Sequence, residues 1–324
     1  MRTRNGVIAL CVALALSGLC IAGCSSTTNS GDATSMSAQQ TQKSAAFSLE
    51  GEIEPTTMLD NDLLTVAANS LTYKNNVAYL NVSLTNKTSG ALDATACTLG
   101  FSGNYVNDCM VDEGYLGGEI APGETVEEEV KFNISSLQLY GIQQIESIGL
   151  GLRVVDDDYN EVFKDIIEVK TSLADDNASA GSLQSGIGNT ALQQTLNYNA
   201  QTATVSADEL SQSGVEALST TLLRNKDGKA MVMVELQNNT SSTVNVKSSN
   251  ITIDGSMAYE GVWNSSTVAP GKRVVLDFTL NNAIGDDQAD SFDLDNMSNM
   301  GFALTVNDAN YNTILPPTNV EISF

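Results

Sequence analysis

The 324-residue sequence contains no histidine. That absence removes the commonest general base, the commonest metal ligand and every catalytic dyad or triad that needs an imidazole. Carboxyl pairs survive as an acid–base device, since glycoside hydrolysis needs only two at a fixed separation. With 39 acidic residues, however, such pairs arise from composition alone. Basic residues are scarce: 15 Lys and Arg leave a net charge of −24. So acidic a surface repels phosphate backbones and anionic headgroups, so no nucleic-acid partner is expected. Solubility of an exposed protein accounts for the acidity without any site. Charge is sparse beside apolar material, 17% against 42%, which suffices for packed cores. The length favours about two domains.

No apolar run is long enough for a comfortable bilayer crossing, which takes about 20 residues. The longest candidate, Val7 to Leu19, follows Arg2 and Arg4 and ends in Ile21-Ala22-Gly23-Cys24. A short positive start, an apolar stretch and small residues before a cysteine make a signal-peptide layout over residues 1–23. The last four residues resemble the bacterial lipoprotein lipobox. That resemblance implies that Cys24 takes a diacylglyceryl thioether and becomes the new N-terminus, facing the extracytoplasmic side of a bacterial cell membrane. Without residues 1–23 the chain keeps 13 basic and 39 acidic residues, so firm attachment has to come from two or more acyl chains, palmitate among them.

After Cys24, residues up to 46 are mostly Ser, Thr, Gly, Gln and Asn without apolar periodicity, a flexible tether with an end-to-end distance of roughly 25 Å. A second polar stretch, 171–206, includes Asp175-Asp176-Asn177 and is expected to link two domains, 47–170 and 207–324. Those two halves repeat each other. Val77 to Gly90 aligns with Lys229 to Ser242 at an offset of 152, with six identities in 14 positions. Tyr159-Asn160 and Tyr311-Asn312 share that offset, while Ala121-Pro122-Gly123 and Ala269-Pro270-Gly271 lie 148 apart.

Alternation at period two marks half-buried strands in both halves. Ala78, Leu80, Val82 and Leu84 fall on one face, as do Ala230, Val232, Val234 and Leu236. Behind the Ala-Pro-Gly turns, Val126, Val130 and Phe132 match Val274, Leu276, Phe278 and Leu280. A later strand places Ile148, Leu150, Leu152 and Val154 against Phe302, Leu304 and Val306. Short strands separated by Asn75-Asn76, Asp227-Gly228 and Pro-Gly turns predict an all-β chain of two tandem antiparallel sandwiches, each of roughly seven strands. The Ala-Pro-Gly turn leading into an alternating strand resembles the telokin-like immunoglobulin-fold domains of bacterial lipoproteins. That family brings no catalytic residues, and neither half has the Cys, Trp, Cys arrangement of antibody domains.

Five cysteines reduce to two in the acylated chain, Cys97 and Cys109, because Cys11 and Cys20 leave and Cys24 is modified. An even pair outside the cytoplasm predicts a disulfide. The two flank Gly103 symmetrically, so a hairpin there would oppose them, and the entropy model gives roughly 3 kcal/mol for such a loop. Calcium is the metal the sequence invites, through Asp156-Asp157-Asp158 and through Asp286-Asp287 with Asp290, Asp293 and Asp295. Neither run has EF-hand spacing, so the expectation is no metal and no cofactor beyond the lipid at Cys24. Trp263, the only tryptophan, sits near Tyr259; the pair is either a ligand contact or core packing.

The resulting expectation is a membrane-anchored, non-enzymatic module that binds or displays a protein, peptide or cell-wall component. An extracytoplasmic solute receptor is the alternative, although such receptors use two α/β lobes around a cleft. A wall-glycan hydrolase working through a carboxylate pair comes third.

Overall fold

The computed structural model describes residues 46–97, 103–174, 181–207, 209–284 and 291–324. Cys24, the signal segment and the tether up to residue 45 lie outside these residues, as do Asp175-Asp176-Asn177, Asp286, Asp287 and Asp290. The first half runs β1 (Thr56–Asp60), β2 (Leu64–Lys74), β3 (Val77–Asn86), β4 (Leu92–Ala96), β5 (Tyr105–Val106), β6 (Cys109–Met110), β7 (Leu116–Ile120) and β8 (Thr125–Asn133). A short helix α1 (Ile134–Leu139) precedes β9 (Ser147–Asp156) and β10 (Glu161–Lys170). Next come α2 (Leu183–Ile187), α3 (Thr190–Leu196), β11 (Tyr198–Thr202), β12 (Thr204–Ser206), β13 (Val215–Asn225) and β14 (Ala230–Asn238). The chain ends with β15 (Val244–Ile253), β16 (Ser256–Val268), β17 (Arg273–Thr279), α4 (Leu280–Ala283), β18 (Asn299–Asp308) and β19 (Thr313–Ser323). The protein is all-β, as its alternating patterns predict.

Three sheets form. Strands β1-β2-β3-β8 make one outer sheet and β12-β19-β18-β15-β16 the other. Between them runs a long sheet, β11-β13-β14-β17-β6-β5-β9-β4-β7, with β10 also paired to β9. One core lies between the first outer sheet and one end of the long sheet, where Leu80, Val82, Phe132, Leu150 and Leu152 are almost wholly buried. The other lies between the second outer sheet and the opposite end, around Val232, Leu276, Phe278 and Leu304. These are the faces that alternation assigns inward, and burying each such side chain is worth about 1.5–3 kcal/mol.

Each Ala-Pro-Gly turn is tied to a fully buried asparagine at the end of a central strand. Asn86 Nδ2 donates to the carbonyls of Gly90 and Ile120 at 2.8 and 2.9 Å, while its Oδ1 accepts from Thr88 N and Oγ1, both at 2.8 Å. Asn238 does the same with Ser242 and Val268, both at 2.9 Å, and with Thr240 N and Oγ1 at 3.0 and 2.7 Å. The backbone repeats the tie: Gly123 N donates to Asn86 O and Gly271 N to Asn238 O.

The stretch 171–206, expected to be a linker permitting independent motion, does not separate the halves: residues 43–324 form one unit. Leu183 and Ile187 of α2 are buried in the first core. Helices α1 and α2 press together at glycines, where a Cβ on Gly141 would meet Ser182 O at 2.1 Å and one on Gly186 would meet Leu139 O at 2.2 Å. The cores also exchange side chains. Tyr198, Leu223, Met233 and Val275 join the first core, and Tyr105 and Met110 join the second.

The long sheet is made continuous by one parallel contact, Arg273 of β17 opposite Cys109 of β6. Arg273 N donates to Asp108 O at 2.8 Å. Its guanidinium, 2% exposed, donates from Nε to Asp108 Oδ2 at 2.9 Å, from Nη1 to Glu235 Oε1 at 3.0 Å and from Nη2 to Tyr140 O at 2.7 Å. Glu235 is 1% exposed and also accepts from Ser219 Oγ at 2.6 Å and Leu183 N at 3.0 Å. Beside it Lys272 Nζ donates to Asn107 O at 2.7 Å and lies 3.8 Å from the Tyr105 ring centroid.

Cys97 and Cys109 are both free, which corrects the expected disulfide. The hairpin turns not about Gly103 but at Asn107-Asp108, with Asn107 at φ +56°, so Cys109 opposes Val106. Cys97 instead follows β4, whose partners are β7 and β9. Burial pushes both thiols up to about 12, so they stay protonated at neutral pH.

Removing the Arg273 charge leaves Glu235 buried without its cation. Arg273→Met is expected to cost about 3–5 kcal/mol, whereas Arg153→Ala, which breaks an exposed pair with Glu161, should cost less than about 1 kcal/mol. Asn86→Ala and Asn238→Ala should each cost about 1–3 kcal/mol, because carbonyls at the turns lose their donors. Urea unfolding curves of the four variants check the ranking.

Candidate functional site

A cavity of about 540 Å³ opens beside Ala46. Four segments distant in sequence build it. The first is extended chain carrying Ala46, Phe47 and Leu49. It is pinned by Ser48 N donating to Gln143 O at 2.8 Å and by Glu52 N donating to Ser172 Oγ at 3.0 Å. The second is the β2–β3 turn, where Asn75 and Asn76 both take positive φ, +52° and +62°, the geometry of a tight hairpin turn that asparagine tolerates.

Helix α1 supplies the third side. Asn133 caps it by accepting from Ser135 N and Ser136 N at 2.9 and 3.3 Å. Asn76 holds the helix against the turn, its Nδ2 donating to Ser135 Oγ at 2.8 Å and its carbonyl accepting from Ile134 N at 3.0 Å. Helix α3 closes the fourth side, capped by Asn189 accepting from Leu192 N at 3.1 Å and ended by Asn197 in the left-handed region.

The lining combines rings, amides and hydroxyls. Phe47 and Tyr73 meet edge to face with centroids 6.4 Å apart. Tyr73 donates its hydroxyl to Gly51 O at 3.2 Å, and burial pushes its pKa up to about 12, so it remains a phenol. The side chains of Asn75, Gln138 and Thr195 face the cavity with no hydrogen-bond partner among the described residues. Among the described residues of the lining Lys74 is the single charged one, and none is a carboxylate. The arrangement can hold a polar, uncharged molecule against an aromatic wall.

The residues named from sequence lie elsewhere. Tyr259 and Trp263 of β16 pack edge to face at 5.1 Å against the second core, and Trp263 Nε1 donates to Asp277 O at 3.1 Å. Asp156 spends its oxygens on its own turn, accepting from Asp158 N at 3.0 Å and Asn160 N at 2.9 Å. Asp308 accepts likewise from Asn310 N and Asn312 N, both at 2.8 Å. These hydrogen bonds, with those from the asparagine side chains foremost, hold both carboxyls below the usual range. Among the described residues no three metal-ligating side chains converge.

Three other acids are raised. Burial lifts Asp277; burial and then repulsion from Asp277 lift Asp112; and burial lifts Glu113 against the lowering hydrogen bond from Asn133 N. Asp112 keeps exposed surface, so solvent screens its share. Perturbed acids often mark sites, but none of these three lines the cavity beside Ala46.

No protein-family model matches the chain, and no curated protein does. Among solved structures it is similar to an exo-chitosanase of Amycolatopsis orientalis, at 16% identity and a TM-score of 0.21 over 76% of this chain and 26% of that one. A bacterial ice-binding adhesin gives 10% identity and 0.19 over 74% and 54%. Red sea bream transglutaminase gives 8% and 0.20 over 82% and 31%. The chain spans about a quarter of the chitosanase length. Likenesses of this size carry no inference about activity.

The folded chain holds the Asp277 proton more tightly than the unfolded chain does. Its contribution to stability is therefore present below the ordinary carboxylate value and is lost as the pH rises through the raised folded value. Asp277→Asn is expected to be more stable than the parent at about pH 7, with the difference vanishing near about pH 4. Urea midpoints at the two pH values check this; a difference independent of pH would refute the assignment.

Proposed function

We propose that this protein is a lipid-anchored extracytoplasmic binding module without catalytic activity, held to a bacterial membrane through Cys24. The observation that carries this is Ile21-Ala22-Gly23-Cys24, placed after a positively charged start and an apolar run and before a polar segment. The all-β body fits that role: its described helices have at most seven residues, and none is long and apolar enough to cross a membrane. The matching networks at Asn86 and Asn238, 152 residues apart, support the reading of the halves as two copies of one telokin-like domain type. The groove beside Ala46 supplies a place for a ligand where the tether joins the body.

The test is metabolic labelling with palmitate in a bacterial host, followed by membrane fractionation. The parent chain should carry label and sediment with membranes, and Cys24→Ala should lose the label. An unlabelled parent, or a labelled variant, would remove the anchor from the account.

A further inference from the structure

We propose that the groove between Phe47, the β2–β3 turn, α1 and α3 binds an uncharged oligosaccharide. This rests on the binding-module part of the reading above and not on the anchor. The volume, about 540 Å³, falls in the range of small-ligand sites, roughly 300–1,000 Å³.

The chemistry of the lining selects the class. A sugar hydroxyl both donates and accepts, and a side-chain amide answers with both functions from one group. Asn75 and Gln138 present such amides, and Thr195 adds a hydroxyl; all three are unpartnered among the described residues. Phe47 and Tyr73 furnish an apolar wall for the C–H face of a pyranose ring, continued by Leu49, which is 57% exposed. Among the described residues of the lining cations find no carboxylate, and anions meet one lysine inside a chain of net charge −24.

An extended peptide fits less well. Peptides laid on β proteins draw their affinity from an open strand edge. This groove offers a turn, two helices and a short coil, so a peptide backbone would leave its own polar groups unpaired. The walls are also fixed in advance, Tyr73 by Gly51 O and Asn76 by Ser135, which lowers the ordering cost of binding.

The test is calorimetric titration of the full chain in detergent with chitotetraose, with cellotetraose and with a neutral Gly/Ser/Ala tetrapeptide. At least one saccharide should bind, and the peptide should not. Gln138→Ala should weaken binding, and Ala191→Trp, which fills the groove from an exposed position on α3, should weaken it by at least about tenfold, the equivalent of about 1.4 kcal/mol. Both variants should keep the parent's thermal unfolding midpoint, and Trp263→Ala should bind as the parent does. Failure of both saccharides to bind, binding of the peptide alone, or affinity untouched by Ala191→Trp would overturn the proposal. Palmitate labelling is unaffected by any of these outcomes, so loss of the groove and loss of the anchor are separately visible.

Discussion

A guanidinium taken out of water has to be met by charge and by full hydrogen bonding, or it costs several kcal/mol. Arg273 meets that condition only when both halves of the chain are in place. Asp108 and the Tyr140 carbonyl come from the first half, Glu235 from the second. Glu235 in turn accepts from Leu183 N, which sets the start of α2. Helix α2 packs on α1 and leads through Asn189 into α3, and α1 and α3 are two walls of the groove. One buried charge cluster thus fixes the joint between the sandwiches and, through the helices, the shape of the candidate ligand site.

The same joint explains which parts of the fold are legible in the sequence. Period-two patterns are legible where a strand has one wet face, as β8 of the first outer sheet does: Glu127, Glu129 and Lys131 are exposed while Val130 and Phe132 are buried. Strands β14 and β17, like β9 and β18, depart from that rule, being buried on both faces over most of their length. The sign was present in the near-continuous runs MVMVEL and RVVL, which suit a strand covered on both sides. Arg273 itself follows a Pro-Gly turn and reads as an exposed turn cation, since its burial depends on partners 38, 133 and 165 residues away.

Composition misleads in the stretch after Gly181. It is rich in Ser, Gly, Gln and Asn, as a flexible linker is, yet Ser182 and Asn189 serve as helix caps, Leu183, Ile187 and Leu192 are buried and Leu196 is partly buried. Asn86-Lys87-Thr88 and Asn239's neighbours likewise look like products of an Asn- and Thr-rich composition. Their role emerges only when the carbonyls they satisfy, some 30 residues downstream, are in place. The groove stays hidden for a related reason: its walls come from four separate segments, and Asn75-Asn76 announces only a turn. The sequence-named aromatics Tyr259 and Trp263 drew notice by rarity, whereas a ligand site depends on convergence.

If the Arg273 cluster joins the halves as described, they unfold as one. Differential scanning calorimetry of the full chain in detergent tests this most directly. The account predicts a single endotherm whose calorimetric and van't Hoff enthalpies agree. Two resolved endotherms, or a van't Hoff enthalpy near half the calorimetric enthalpy per mole of chain, would mean that the sandwiches melt independently and that the shared sheet does not bind them into one body.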